Sequence, residues 1–200
     1  MQSVDDHIIE KVLKEPPGTL VFVEDFLYFG SAKTVGKALE RLVKSDKVQR
    51  VARGIYGLLP THPVWGVLQP TTEQIAKAIS RRDKARITPT GTAALNAFGL
   101  STQVPSNVVY LTDGAARTIK IGDRKIVFKK ASPRNLSTIG KISTLAIQAF
   151  KAIGNEHVTK HEIDTILKEL EKETPSALEH DIQLAPEWIR VILRKSIKRD

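Results

Sequence analysis

The chain has 200 residues, 31 Lys and Arg against 22 Asp and Glu, 41% apolar residues and no cysteine. That length accommodates one large domain or two small ones, and its apolar stretches fall short of the roughly 20 residues needed to cross a bilayer. The lack of thiols excludes a disulfide framework, a cysteine nucleophile and cysteine-ligated zinc or iron–sulfur sites.

The opening MQSVDDHIIEK carries two aspartates where a signal peptide needs positive charge followed by an apolar run, so the expectation is a cytoplasmic protein with no membrane partner. The net charge of +9 is unevenly placed. Residues 1–30 hold six carboxylates to two cations, 31–60 seven cations to two carboxylates, 61–130 eleven to four, and 131–200 eleven to ten. Basicity concentrated in 31–130 points to a polyanionic partner there.

In chain order, Ile8, Ile9, Val12 and Leu13 predict a first helix over 5–15, stopped by Pro16-Pro17-Gly18. A short extended piece follows over 19–22, then a brief helix over 23–29 ended by Gly30. A third helix runs from an N-cap at Ser31 to about Ser45. KVQRVARGIYGLL alternates apolar and polar residues around a bend at Gly54, which predicts a hairpin. Three helices and a hairpin within about sixty residues give the order of a winged helix-turn-helix. The segment punctuated by Pro60, Pro63 and Pro70 has no helical or strand period and reads as a linker over 61–70.

Beyond it, Thr71 and Gln74 form a capping box for a helix to about Arg82, and 86–88 is expected to be a strand. A small-residue helix over 91–98 is closed by Gly99, and 108–112 is a strand. RTIKIGDRKIVFKK predicts a hairpin turning at Gly122-Asp123, with Ile119 and Ile121 facing Ile126 and Phe128. The rest is helical: 142–153, 159–170 behind a capping box of Thr159 and Glu162, a helix opened by Thr174-Pro175, and one opened by Pro186 and running to about Lys198. The expected fold class is α+β, an N-terminal winged helix-turn-helix over 1–60 followed over 71–200 by a mixed α/β domain with a helical C-terminal end.

The third helix carries the chemistry. Projected at 100° per residue, Val35, Leu39, Leu42 and Val43 centre on one side and Lys33, Lys37, Arg41 and Lys44 on the other, interrupted only by Glu40. Short polar residues, Ser31 and Thr34, open it. A recognition helix needs this pattern, because its first turn presents donors and acceptors to base edges while cations further along reach phosphates. Arg50 and Arg53 flank the glycine bend of the hairpin, where a wing would touch the DNA backbone. The expected DNA-binding set is therefore Ser31, Lys33, Thr34, Lys37, Arg41, Lys44, Arg50 and Arg53. A solvated helix face and a solubilised hairpin would look similar.

The strings GSAKTVGKALERLVKSDKVQRVARGIYGLLP and RITPTGTAALNAFGLSTQVPSNVVYLTDGAARTIKIGDRKIVFKKASPRNL resemble the winged helix and the start of the second domain of the AbiEi family, antitoxins of type IV toxin–antitoxin and abortive-infection (phage defence) systems. The resemblance spans roughly 5–150. It implies a transcriptional repressor that binds double-stranded DNA at inverted repeats in its own operator. It also implies an antitoxin-type second domain that counteracts a nucleotidyltransferase-like toxin, with no stable complex required.

A second basic set, Arg81, Arg82, Arg117, Lys120, Arg124, Lys125, Lys129, Lys130 and Arg134, either extends a nucleic-acid contact or decorates a helix end and strand exteriors. No phosphate-binding, dinucleotide-binding or nucleophile-elbow motif occurs, so no catalytic residue, cofactor or metal is expected. His157 and His161 have the order H-x-x-x-H-E rather than H-E-x-x-H, and Trp65 and Trp188 are assigned to the core or a domain boundary. The rival readings are a winged-helix regulator with a ligand-binding or dimerising second domain and no toxin partner, and a nucleic-acid-processing enzyme.

Overall fold

The computed structural model describes residues 2–103 and 105–197, a mixed α and β chain that divides into two compact units. The first holds the residues up to Ile79 with Ile119–Gly122; the second holds Ser80–Thr118 and the residues from Asp123 onward. The division falls within a helix, downstream of the proline-rich segment.

In the first unit, α1 (Val4–Lys14) starts at Ser3, whose hydroxyl accepts the Asp6 amide while the Asp6 carboxylate accepts the Ser3 amide. Strand β1 (Leu20–Phe22) leads into a 3-10 helix, Val23–Phe29, which Asp25 caps by accepting the Phe22 amide at 2.8 Å. Helix α2 (Ala32–Lys44) follows. It ends without a glycine: Asp46 takes the left-handed conformation, φ 55°, and lets the Lys47 amide reach back to the Leu42 carbonyl.

Strands β2 (Gln49–Ala52) and β3 (Ile55–Gly57) then form a hairpin whose turn uses Gly54 at φ 75°. Between Arg50 and Ala52 the register slips, leaving Val51 as a bulge. Strand β1 adds antiparallel to β3, so the sheet order is β1-β3-β2. The core is built from Ile8 and Val12 of α1, Val35, Ala38, Leu39 and Leu42 of α2, and Val21, Phe26, Val48 and Tyr56. Each fully buried aliphatic side chain contributes roughly 1.5–3 kcal/mol.

The expected period-free linker at 61–70 is instead a small hairpin, β4 (Thr61–His62) with β5 (Gly66–Val67), before α3 (Thr72–Asp83). The α3 capping box is present, with the Thr71 amide on Gln74 Oε1 at 2.8 Å and the Gln74 amide on Thr71 Oγ1 at 3.2 Å.

Downstream of the division come β6 (Ile87–Pro89), α4 (Thr92–Ala97), β7 (Asn107–Thr112) and the hairpin of β8 (Arg117–Ile121) and β9 (Arg124–Lys130), all in the second unit except the hairpin's Ile119–Gly122. The sheet order is β6-β7-β9-β8. Strand β9 enters between β7 and β8 and runs parallel to β7, with Val108 beside Ile126 and Tyr110 beside Phe128. Ile126 and Phe128 are buried, while Ile119 and Ile121 are half-buried. Helices α5 (Lys141–Ile153), α6 (Lys160–Leu170), α7 (Pro175–Leu184) and α8 (Glu187–Leu193) complete the chain. The expected end of the last helix near Lys198 lies outside the described residues. Phe98, Ile147, Phe150, Ile166, Leu170, Leu178, Ile182 and Ile189 form the helical core. No helix among the described residues is long and apolar enough to cross a membrane.

Two downstream carboxylates, Asp181 of α7 and Glu173 of the turn between α6 and α7, satisfy the entry to α5. Asp181, fully buried, accepts the amides of Ile139 and Gly140 at 2.9 Å each and the Ser143 hydroxyl at 2.5 Å, and meets His180 Nδ1 at 2.8 Å. Glu173 accepts the Ile142 and Ser143 amides. Removing the Asp181 carboxylate strands several donors in the interior, each at ~1–3 kcal/mol. Asp181→Ala is therefore expected to cost about 3 kcal/mol or more, read by urea denaturation followed by circular dichroism; a loss below roughly 1 kcal/mol would mean that water replaces the carboxylate.

Candidate nucleic-acid interface

Helix α2 positions the sequence-expected residues, and its amphipathic period explains why. Burying Val35, Ala38, Leu39 and Leu42 turns Lys33, Lys37 and Lys44 outward, where all three are exposed. They make no ion pair among the described residues. At the N-terminus, Ser31 Oγ accepts the Thr34 amide at 3.2 Å and lies 2.9 Å from Thr34 Oγ1. Ser31 thus serves as the helix cap, and the Thr34 hydroxyl, though exposed, already shares one hydrogen bond.

Arg41 differs from the lysines. Its Nε donates to Asp5 Oδ2 at 2.9 Å and its Nη2 to Asp5 Oδ1 at 2.6 Å, a two-pronged pair linking α2 to the first turn of α1. That hydrogen-bonded carboxylate pushes the guanidinium pKa up, outweighing the opposing effect of burial. A cation so engaged is partly neutralised before any phosphate arrives.

In the β2–β3 hairpin, Arg50 and Arg53 are exposed and make no ion pair among the described residues. Arg53 sits in the two-residue turn with Gly54, and Arg50 pairs in register with buried Tyr56. The first unit therefore presents five unpaired cations at expected positions, Lys33, Lys37, Lys44, Arg50 and Arg53, with Arg41 tethered. One further position on α2 departs from helix preference. Gly36 is half-buried, and a Cβ added there would meet no atom within 4 Å.

The second basic set is not one patch. Asp83 takes both Arg82, at 2.9 Å, and Arg117, whose guanidinium also lies 5.6 Å from the Phe128 ring centre. Side chains of a strand alternate between faces, so Lys125 and Lys129 share one side of β9, and Arg124 and Lys130 share the other with Ile126 and Phe128. Lys120, Arg124, Lys125, Lys129 and Lys130 are exposed, as is Arg81. Arg134 reaches the Gln183 carbonyl at 3.4 Å. Arg86, outside that set, is bound by Asp113 through its amide at 2.7 Å and its Nε at 2.8 Å, and this pairing holds the Asp113 carboxyl below the usual aspartate range.

The two tryptophans part company. Trp188 packs edge-on against Phe150 at 6.1 Å beside the helical core, whereas Trp65 is 75% exposed at the tip of the β4–β5 hairpin, which removes it from the core. Sequence reading also missed Asp181 and Glu173, because a carboxylate that satisfies a helix entry some thirty or forty residues upstream leaves no local spacing signal. His157 lies in the turn before α6 and His161 in its first turn, and no three His, Asp or Glu side chains converge among the described residues.

A family model described as a family of unknown function, DUF6088, matches residues 7–178. No curated protein matches the chain. Among solved structures, the RV2827C protein from Mycobacterium tuberculosis is similar over 98% of this chain and 83% of its own, at 11% identity and a TM-score of 0.40, a likeness too loose to carry an argument.

Proposed function

The chain belongs to the DUF6088 family of unknown function, and we propose that it is a DNA-binding autorepressor, built on an N-terminal winged helix, that acts as the antitoxin of a nucleotidyltransferase-like toxin. The observation that carries the DNA-binding part is the exposed, unpaired basic face of α2 (Lys33, Lys37, Lys44), joined by Arg50 and Arg53 of the following hairpin. The order helix, strand, 3-10 helix, helix and hairpin, with sheet order β1-β3-β2, supports reading this unit as a winged helix. In that reading α2 enters the major groove by its Ser31–Thr34 end, the three lysines meet phosphates along its length, and the β2–β3 turn is the wing. The antitoxin part rests on the AbiEi-like strings in both halves of the chain.

Binding to the chain's own promoter is expected to weaken with salt at a log–log slope of about −4 to −5, the value for five phosphate contacts, measured by fluorescence anisotropy. Asp5→Asn releases Arg41 and should tighten binding at low salt, steepening the slope by about one. A slope near zero for the native chain would remove α2 and the hairpin from any DNA contact.

Gly36 supplies an independent test. An alanine there meets no steric obstacle and should raise helix stability by about 1 kcal/mol. If α2 docks against DNA, the added methyl group stands in the path of the approaching backbone, so Gly36→Ala should melt higher and bind operator DNA less tightly. Higher stability with unchanged affinity would make the glycine irrelevant to docking.

The antitoxin role separates from repression by charge reversal. Lys33→Glu with Lys37→Glu, expressed from a foreign promoter, is expected to abolish repression yet still protect cells from the cognate toxin. Failure of the native chain to protect would leave a winged-helix regulator with no toxin partner.

A further inference from the structure

The β4–β5 hairpin is too small to support itself. Each strand has two residues, paired Thr61 with Val67 and His62 with Gly66, and no third strand joins them among the described residues. A two-stranded hairpin is marginal in water even when longer. Yet its apolar side chains point outward: Val64 is 79% exposed, Trp65 75%, and Val67 and Leu68 40% each.

The tip is also ordered. Gly66 turns the chain at φ 69°, the Val64 amide donates to His62 Nδ1 at 3.1 Å, and the His62 ring stacks on the Trp65 indole at 4.2 Å. One indole face is thereby held by the imidazole and the other is presented to whatever lies outside, so little side-chain freedom is lost on docking.

Charge selects the occupant. No Asp, Glu, Lys or Arg occurs between Arg53 and Glu73, in a chain that is 26% charged and carries +9 overall. A second uncharged run, between Arg86 and Asp113, places its large aromatic residues Phe98 and Tyr110 in the interior. Two copies of a chain this basic repel each other wherever they present cations, and approach without that penalty at a neutral apolar face. A nucleic acid or an anionic membrane would favour cations beside the indole, and this segment supplies none. We propose that the β4–β5 hairpin is a self-association surface, with Val64, Trp65, Val67 and Leu68 packing against the same residues of a second copy across a two-fold axis.

The four side chains put on the order of 400 Å² of apolar surface into solvent, so a symmetric pair buries on the order of 800 Å² from that patch. This lies below the roughly 1,200–2,000 Å² of a standard stable interface, which sets a weak, concentration-dependent dimer. The inference stands on the hairpin alone and does not require DNA binding.

Sedimentation equilibrium of the full chain without DNA, from about 1 µM to several hundred µM, tests it. The mass is expected to rise towards that of two chains. Association should persist or strengthen as salt is raised, because screening relieves the like-charge repulsion and leaves apolar burial intact. Trp65→Ser and Val64→Ser should each weaken dimerisation at least tenfold with an unchanged circular dichroism spectrum and melting curve, and Trp65→Phe should retain most of it. A monomer throughout at both salts, or a dimer that neither serine variant weakens, overturns the proposal. So does a monomeric chain whose Trp65 emission, taken as the difference from Trp65→Phe, shifts only on anionic vesicles or on DNA.

Discussion

Burial of Val35, Ala38, Leu39 and Leu42 on one side of α2 is the constraint from which the first unit follows. Those residues share a core with Ile8 and Val12 of α1, with Val21 and Tyr56 of the three-stranded sheet and with Val48 just before β2, so α2 can neither rotate nor slide without exposing apolar surface. Fixing the rotation fixes the other side too. Lys33, Lys37 and Lys44 must stand in solvent, and they do so on a rigid element, which a binding surface needs if it is to meet a regularly spaced row of charges.

Several carboxylates of the chain are spent on structure. Asp6 and Glu162 close capping boxes, Asp25 caps the 3-10 helix, Asp5 binds Arg41, Asp83 binds Arg82 and Arg117, Asp113 binds Arg86, and Asp181 and Glu173 hold the entry to α5. The cations are divided differently. Arginines near aspartates are consumed in those pairs, while the lysines of α2, the arginines of the β2–β3 hairpin and the lysines of β9 make no ion pair among the described residues. The formal charge of +9 therefore understates how one-sided the available charge is. Its division between a helix face and a hairpin in the first unit, and between two faces of β9 in the second, makes the first set the more coherent.

Elements governed by local rules were legible in the sequence. The caps at Ser31, Thr71 and Thr159, the stop after the 3-10 helix at Gly30 and the bends at Gly54 and Gly122 each depend on residues within a few positions of one another, and each is where the spacing places it. What the sequence did not disclose is non-local. Nothing in RTIKIGDRKIVFKK says that β9 slips between β8 and β7 and runs parallel to the latter, because parallel partners are joined by long connections and leave no turn signature. The basic face of α2 was readable, but the loss of Arg41 to Asp5 was not, since the two residues meet only after α1 and α2 pack. The segment 61–70 misled for a different reason: strands of two residues are too short to show any period.

Two positions of the first unit break the rules that the rest of the sequence obeys. A glycine in the middle of α2 weakens the helix where the fold leaves room for a larger residue, and an indole stands in water at the tip of a hairpin where a polar residue would suit the isolated chain better. Neither concession serves the interior, because Gly36 has open space beyond it and Trp65 is largely exposed. Sequences otherwise consistent from caps to core concentrate such conflicts where something outside the folded chain must be accommodated. The two conflicts differ in kind. Gly36 keeps a surface low beside a row of cations, which suits close approach by a charged partner, whereas Trp65 raises an apolar point in a segment stripped of charge, which suits a neutral one. Two surfaces with opposite chemistry on the same unit are thus best read as serving two different partners.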